Sequence, residues 1–198
     1  PEQVNQLTRL ANERRLNAYT AAMWAELPRL LVRIEADPAL RIVVVRGAGT
    51  KAFSAGADIS EFDTERTGDA FKRYDELNTA AFDALAHCAK PTIALIHGFC
   101  LGGGLEIAMC CDMRFAAEGS QYAIPAARLG IGYNPRWVKP LLAVISAARA
   151  KEMLYTGRRF SSAEALAMGL VNGVHPPGEL DAAVRATADM IAVNAPLS

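Results

Sequence analysis

The sequence predicts an α/β protein built around a parallel β-sheet, and three patterns support this fold class. Residues 41–46 and 92–96 are short runs rich in β-branched residues, bounded by proline and glycine, as strands buried on both faces are. Residues 69–87, between them, have the apolar spacing of a helix. A strand, a helix and a second strand in this order form a right-handed crossover, which makes the two strands parallel.

Length and composition are those of a single domain, residues 1–198, in which 52% of the residues are hydrophobic. The polar start and the stop at Ser198 lead us to expect truncation at both ends. Twenty-one basic residues balance 21 acidic ones, without the positive excess of nucleic-acid-binding proteins. No apolar run reaches the ~20 residues of a membrane span, and no signal core is present. We therefore expect a cytoplasmic protein that binds neither nucleic acid nor membrane.

The other elements follow from the same periodicities. An amphipathic helix is expected at residues 18–36, capped by Asn17, and the glycine-rich segment 47–62 is expected to be a loop. Further on we expect a strand at 113–116, an extended piece at 122–125, a loop at 130–135, helices up to Leu154, a helix from Ser161 or Ser162 to Met168, a strand at 170–174 and a helix at 180–193. The aromatic residues expected in the core or at an interface are Trp24, Tyr74 and Trp137.

Cysteine and histidine residues do not have the spacing of a metal site. The cysteines fall within apolar segments, where we expect reduced core residues, and the histidines follow or flank predicted strands, where we expect structural roles. These residues are Cys88, Cys100, Cys110 and Cys111, and His87, His97 and His175. The sequence also lacks a dinucleotide fingerprint, a P-loop and a nucleophile elbow. We therefore expect no metal and no separate cofactor.

The run HGFCLGGGLEIAMCCD, residues 97–112, is the candidate functional segment. A strand stops at glycine, and an apolar helix is predicted to begin near Gly102. The first turn of a helix has amide N–H groups without intrahelical partners, and Glu106 lies three residues after Gly103, on the same face. An amide donor beside a carboxylate suits an oxyanion next to an acid or base. The alternative is a tightly packed turn with a solvated carboxylate.

Two glycine loops and two flanking motifs together resemble the crotonase family of enoyl-CoA hydratases and isomerases. The resemblance covers nearly the whole chain. The motifs are RLNA at residues 15–18, KAFSAGADI at 51–59, GFCLGGGLE at 98–106 followed by Cys111 and Asp112, and AEALAMGLVN at 163–172. It implies a ClpP/crotonase-like spiral of repeated ββα units, and we expect the C-terminal helical region of that fold to be missing. It also implies a homotrimer or hexamer and an acyl-CoA substrate, with coenzyme A as part of that substrate.

The resemblance also assigns candidate site residues. The backbone N–H groups of Ala57 and Gly103 match the oxyanion hole that binds the thioester oxygen, and Glu106 matches the first of two glutamates that activate water in a hydratase. Other matched positions lie against the substrate and its coenzyme A moiety: Arg15, Leu16, Ala18, Ala55, Asp58, Ile59 and Ser60. The residue pattern itself suggests a second role for Asp58, because a carboxylate directly after a glycine turn often caps the following backbone.

The chain departs from the hydratase pattern at the second glutamate. Ala126 follows Pro125 at that position, and alanine cannot transfer a proton. Tyr133 and Asn134 resemble the Tyr-Asn pair of the methylmalonyl-CoA decarboxylase branch, and we take Tyr133 as a candidate catalytic residue. Asparagine cannot replace the nucleophilic aspartate of the dehalogenase branch. We expect an enoyl-CoA hydratase-like lyase or isomerase. The alternatives are a decarboxylase of a methylmalonyl-type thioester and a catalytically weak acyl-CoA-binding protein.

Overall fold

The structure, a computed structural model, describes residues 6–61 and 68–194. Strands and helices alternate along these residues, as expected for an α/β protein. In chain order they are β1 (Gln6–Leu10), α1 (Ala21–Ala36), β2 (Val43–Gly47), β3 (Ala52–Ser54), α2 (Gly68–Ala86), β4 (Thr92–Ile96), β5 (Phe99–Leu101), α3 (Gly103–Cys110), β6 (Met113–Ala117), β7 (Gln121–Ala123), α4 (Pro135–Val144), α5 (Ala147–Thr156), β8 (Phe160–Ser161), α6 (Ser162–Ala167), β9 (Gly173–His175) and α7 (Leu180–Ala192).

Within the described residues the strands form two sheets. The larger sheet has five strands in the order β1-β2-β4-β6-β9, and all its pairings are parallel. The smaller sheet has four strands in the order β3-β5-β7-β8. In each of the pairs β2-β3, β4-β5 and β6-β7, the first strand joins the larger sheet and the second joins the smaller one. A helix follows each pair. This repetition is the predicted series of ββα units.

The larger sheet is buried on both faces, as its sequence predicts. Val43 and Val45 of β2 pack into the cluster that contains α1, α2 and α3, whereas Val44 faces a second cluster that contains α7. Alternate residues of one strand therefore serve two apolar layers. Burial of both faces explains why the strand sequences are continuous apolar runs. None of the described helices is long and apolar enough to span a bilayer.

Apart from the extended piece expected at 122–125, which overlaps β7, the residue patterns did not predict the strands of the smaller sheet. The expected loop at 47–62 contains β3, and β5 lies between the central strand and the glycine turn that was expected to follow it directly. Strands of three residues are too short to show a period of two. Their pairing with each other stabilises them instead: Ala52 aligns with Phe99, and Ser54 with Cys100. Phe62, the expected end of the loop, lies outside the described residues.

Asn17 is not the cap of the first helix. Helix α1 begins at Ala21, and the side chain of Thr20 accepts a hydrogen bond from the amide of Met23 at 3.3 Å. Asn17 has a left-handed backbone, with φ of 55°, and its buried side chain donates to the carbonyl oxygens of Ala48 and Ala52. It thus joins the RLNA motif to the β3 segment, a long-range role that local capping preferences do not reveal.

The C-terminal part agrees with expectation apart from element boundaries. Ser161 caps α6 through a capping box with Glu164. The strand expected at 170–174 is shifted to Gly173–His175, because pairing with β6 begins only at Gly173. Three of the four cysteines are buried, and all four are free thiols. The last residues, 195–198, lie outside the described part.

Candidate active site

The glycine turn before α3 lies against the loop that follows β3. Gly56 has φ of 95°, a conformation that side chains rarely adopt. A Cβ atom at this position would lie 2.9 Å from the carbonyl oxygen of Leu101 and 3.2 Å from the amide nitrogen of Gly103. Glycine therefore lets the two loops approach at backbone contact. This contact brings Ala57 and Gly103 to the same place.

The amide groups of Ala57 and Gly103 are free to bind a ligand. Tyr19 donates to the carbonyl oxygen of Gly56 and accepts from the amide of Asp58, both at 2.8 Å, in an isolated bridge with Ala57. In such a bridge the N–H of the central residue points to the opposite side. Gly103 opens α3, where an amide has no intrahelical acceptor. Across residues 6–61 and 68–194, neither amide donates a hydrogen bond.

Glu106 lies one helical turn after Gly103 and is almost fully buried, with 1% of its surface exposed. Burial raises the pKa of Glu106 to about 8, although a hydrogen bond from the Tyr133 hydroxyl to Oε1 acts in the opposite direction. The other carboxyl oxygen, Oε2, has no hydrogen-bond partner in the described part of the chain. Burial also raises the pKa of Tyr133 well above its usual range. Glu106 therefore has one carboxyl oxygen held by Tyr133, a second one without a partner among the described residues, and a pKa close to neutral pH.

Tyr133 is held in place by the start of α4. The Asn134 side chain caps this helix by accepting from the amide of Arg136 at 3.0 Å, and it donates to Asp75 of α2 at 3.1 Å. The Tyr133 ring packs edge-on against Trp137, with centroids 5.6 Å apart. Asn134, the second residue of the Tyr-Asn pair, is therefore structural, because it fixes the loop that carries Tyr133.

An open cleft joins the free amides to Glu106. It has about 670 Å³ of unfilled space, including solvent at its mouth. Ala55, Gly56 and Gly102 line it beside the two amides, and the remaining walls are largely apolar. Among the described residues that line it, none is lysine, arginine or histidine, and Glu106 is the single carboxyl group. A carboxyl in such surroundings can exchange a proton with a ligand whose oxygen is bound by the amides.

Aromatic side chains form one wall of the cleft. Phe82 makes edge-on contacts with Trp24 at 5.4 Å and with Trp137 at 5.7 Å, and Trp137 donates from its indole N–H to Thr79 at 3.3 Å. Trp24 is a core residue and Trp137 is partly buried against the core, in line with expectation, but both also line the cleft. Sequence reasoning missed this second role because helical periodicity marks a side chain as buried without saying what it faces.

A sequence profile of the enoyl-CoA hydratase/isomerase family matches residues 2–198. The chain belongs to this family. The short-chain-enoyl-CoA hydratase of Clostridium acetobutylicum is 36% identical over 183 residues, which are 92% of this chain and 70% of that relative. The peroxisomal Delta(3,5)-Delta(2,4)-dienoyl-CoA isomerase of Arabidopsis thaliana is 32% identical, with the same coverage.

Solved structures of the family confirm the crotonase-like fold. A crystal structure described as an enoyl-CoA hydratase/carnithine racemase from Magnetospirillum magneticum superimposes with a TM-score of 0.93 at 40% identity. The match covers 96% of this chain and 72% of that one, so the chain spans about seven tenths of its relative. Family membership also confirms the expectation of an enzyme that acts on coenzyme A thioesters.

The family's expected substrate contacts fall into two groups in the structure. Ala55, Ala57 and Gly103 line the cleft, together with Glu106 and Tyr133. The remaining expected contacts do not line it, and the side chain of Ile59 lies outside the described part of the structure. The residues of this second group are Arg15, Leu16, Ala18, Asp58 and Ser60.

Arg15, Asp58 and Ser60 bind one another. Arg15 donates to Asp58 at 2.8 Å and also to the Ser60 hydroxyl. The Asp58 carboxylate accepts from the Ser60 amide at 3.0 Å, which is the backbone capping expected for it. Hydrogen bonds from Ser60 and Arg15 hold the pKa of Asp58 below its usual value. The Arg15 side chain remains 54% exposed, so it can also reach an anionic ligand at the surface.

Ala126, the residue that we matched from the sequence to the second glutamate of a hydratase, lines the cleft. It belongs to a short helical turn, Pro125–Leu129, that forms part of the wall. The described residues also contain no cluster of three or more histidine, cysteine, aspartate or glutamate side chains that could hold a metal ion.

Proposed function

We propose that this protein hydrates a 2-enoyl-CoA thioester, with Glu106 as the acid/base carboxyl and the amides of Ala57 and Gly103 as the oxyanion hole. One observation carries the proposal: a buried carboxyl with a free oxygen lies beside two unpaired amides in an apolar cleft. The family and the hydratase from Clostridium acetobutylicum support the same reaction.

The amides stabilise the charge that develops during the reaction. When water attacks C3 of the enoyl group, the electrons of the C2=C3 bond move toward the thioester carbonyl, and its oxygen becomes an enolate. Two preorganised N–H donors bind that oxygen more strongly than they bind the neutral carbonyl. Loss of one such donor typically costs ~3 kcal/mol of transition-state stabilisation. The donors belong to the backbone, so their placement depends on the absence of a side chain at Gly56, which lets the two loops approach.

Glu106 transfers the proton. Its carboxylate accepts a proton from the attacking water as the bond between the water oxygen and C3 forms, and the resulting carboxylic acid returns a proton to C2. A single carboxyl can therefore complete the addition of water. With a pKa of about 8, about a tenth of the molecules have the ionised form at pH 7. Tyr133 holds Oε1, so the free Oε2 is the oxygen available to the water.

Isomerisation of a 3-enoyl-CoA to a 2-enoyl-CoA is the second candidate, and Ala126 favours it. Such an isomerisation removes a proton from C2 and returns it to C4, so one carboxyl is sufficient and no water needs to be held. The relative from Arabidopsis thaliana is likewise named as an isomerase, of a dienoyl-CoA. Decarboxylation has less support, because no cationic side chain lines the described cleft to receive a second carboxylate.

Coenzyme A itself is proposed to lie along the loop that contains Arg15, with its phosphates near the exposed guanidinium group. Leu16, Ala18, Asp58, Ile59 and Ser60 would shape this surface, with Asp58 and Ser60 orienting Arg15. No further cofactor enters this proposal. Assembly as a homotrimer or hexamer is likewise proposed from the family, and sedimentation of the purified protein tests it.

The decisive experiment measures loss of enoyl absorbance from crotonyl-CoA by the wild type and by Glu106→Gln. We expect the variant to lose activity about 100-fold or more, because proton transfer is removed. Its affinity for butanoyl-CoA should stay within a few-fold of the wild-type value. The same proteins are assayed with 3-hexenoyl-CoA, where a gain of absorbance reports isomerisation.

The outcomes distinguish the candidates. A gain of enoyl absorbance with 3-hexenoyl-CoA, without a loss of absorbance with crotonyl-CoA, would show that the protein is an isomerase and not a hydratase. Wild-type turnover that Glu106→Gln leaves unchanged would remove Glu106 from the mechanism. Tight thioester binding without turnover of either substrate would make the chain an acyl-CoA-binding protein.

A further inference from the structure

Helix α2 presents a polar side chain to the cleft in the middle of an apolar stripe. Tyr74, Asn78 and Phe82 recur every four residues on the buried face of α2. Asn78 and Phe82 both line the cleft, and Phe82 belongs to its aromatic wall. Asn78 therefore lies one turn from the aromatic wall, facing the space that the acyl group would occupy.

The hydrogen bonds of Asn78 leave its carbonyl oxygen unused. The side-chain nitrogen donates to the backbone carbonyl of Tyr74 at 2.8 Å. Because a carbonyl can only accept, this bond fixes which end of the amide is nitrogen. No donor in the described part of the chain reaches Oδ1. Asn78 is nevertheless 97% buried, with 3% of its surface exposed.

We propose that Asn78 is a specificity-determining residue that selects acyl-CoA thioesters whose acyl chain carries a hydrogen-bond donor, such as a hydroxyl group, beyond C3. The inference rests on the proposed function, since it assigns the cleft to the acyl group. It deepens that function by naming the substrate class.

The physical reason is the cost of an unpaired buried acceptor. In the empty cleft, water can reach Oδ1. An aliphatic acyl chain displaces that water and leaves the carbonyl oxygen without a donor, whereas a hydroxyl group of similar size restores the hydrogen bond. Sites built to bond a substrate hydroxyl reject the analogue without it much more strongly than apolar pockets reject an added methylene. The neighbouring Tyr133 hydroxyl does not serve this purpose, because it already donates to Glu106.

The test compares thioesters that differ in one group. Dissociation constants are measured by calorimetry for 4-hydroxybutanoyl-CoA and pentanoyl-CoA, which exchange a hydroxyl for a methyl group, and for the 5-hydroxypentanoyl and hexanoyl pair. None of these saturated compounds can be hydrated, so binding is measured without turnover. We expect at least one hydroxylated compound to bind about tenfold or more tightly than its methyl counterpart.

Two variants test whether Asn78 causes the difference in affinity. Asn78→Leu should bring the ratio of affinities to within about twofold, because the acceptor is lost at nearly constant volume. Phe82→Leu, one turn along the same stripe, changes the cleft without removing a polar group, so the ratio should persist.

Equal affinity of the wild type for both members of every pair would overturn the inference even if Asn78→Leu fails to fold. A wild-type ratio that Asn78→Leu does not alter would assign the selectivity to another group. Failure of every thioester to bind would instead reject the proposed function, and the inference with it.

Discussion

Glu106 and Tyr133 are the residue pair on which the proposed chemistry depends. Burial disfavours the charged carboxylate, whereas the hydrogen bond from Tyr133 favours it. The pKa of about 8 is the balance of these two effects. A group with this pKa can act as a base at neutral pH and still return its proton.

Tyr133→Phe should move the pH profile of kcat/KM to higher pH. Activity that requires the Glu106 carboxylate rises with pH through a midpoint near 8. Loss of the hydrogen bond raises this pKa further, so we expect the midpoint to shift upward by about one unit. The measurement is kcat/KM for crotonyl-CoA between pH 6 and 10. Tyr122→Phe is the matched control, since Tyr122 is a buried tyrosine that makes no bond to Glu106. A lowered plateau with an unmoved midpoint would contradict this role of Tyr133.

At the level of elements, the site depends on the contact between the β3 loop and the start of α3. Their amides meet because small residues allow backbone contact at Gly56 and again at Gly104. A Cβ at Gly104 would lie 2.6 Å from the Cβ of Ser54. The elements are thus packed too closely for side chains at these positions.

Gly56→Ala should reduce both stability and turnover. The new methyl group would strain a backbone with positive φ and push Leu101 and Gly103 away from Ala57. We expect a loss of about 1–3 kcal/mol in the free energy of unfolding and a fall in kcat of tenfold or more. Urea unfolding and turnover of crotonyl-CoA measure the two effects. Gly178→Ala is the control, because no atom lies within 4 Å of its added methyl group. Unchanged kcat in folded Gly56→Ala would contradict the assignment of the oxyanion hole.

The aromatic wall between α2 and α4 should limit the length of the acyl chain. Phe82, Trp137 and Glu106 separate the cleft from a smaller cavity that also contacts Thr79 and Cys110. Trp137→Ala would join the two spaces, so we expect the ratio of kcat/KM for 2-octenoyl-CoA over crotonyl-CoA to rise by tenfold or more.

Leu142→Ala, which truncates an exposed side chain of the same helix, is the control for this experiment. An unchanged ratio in Trp137→Ala, with the protein folded, would place the end of the acyl chain elsewhere.

For the whole molecule, the buried Glu106 makes stability depend on pH. The folded protein keeps the Glu106 proton up to a pH of about 8, whereas the unfolded chain loses it near 4.5. Between these values the folded state binds more protons, so stability decreases as pH rises, by up to ~1.4 kcal/mol per pH unit. Burial lowers the pKa of His97 below 6.5, which has the opposite effect below that pH. Between pH 6.5 and 8 the effect of Glu106 is therefore not opposed by that of His97.

Urea unfolding across this window checks the effect. The wild-type free energy of unfolding should fall with rising pH, and Glu106→Gln should remove most of that slope. Parallel slopes for the two proteins would show that another group is responsible.

The two-layer architecture explains why a buried carboxyl is tolerated. Helix α3 is enclosed by the smaller sheet, α2 and α4, and all its residues from Gly104 to Cys110 are buried. Folding of this apolar segment stabilises the molecule. One uncharged carboxylic acid, hydrogen-bonded to Tyr133, reduces that stabilisation only partly.

The sequence by itself determined the class of fold, the central strands and helices, the two glycine loops and the position of Glu106. These features are local: a β-branched run, a helical period and a glycine turn specify backbone shape within a few residues. The tertiary structure decided the rest. It formed the smaller sheet from short strands and made Thr20, not Asn17, the cap of α1. It also placed Tyr133 against Glu106 and Asn78 in the wall of the same cleft. Such contacts join residues that are distant in the chain, and only packing against a shared core determines which side chains meet.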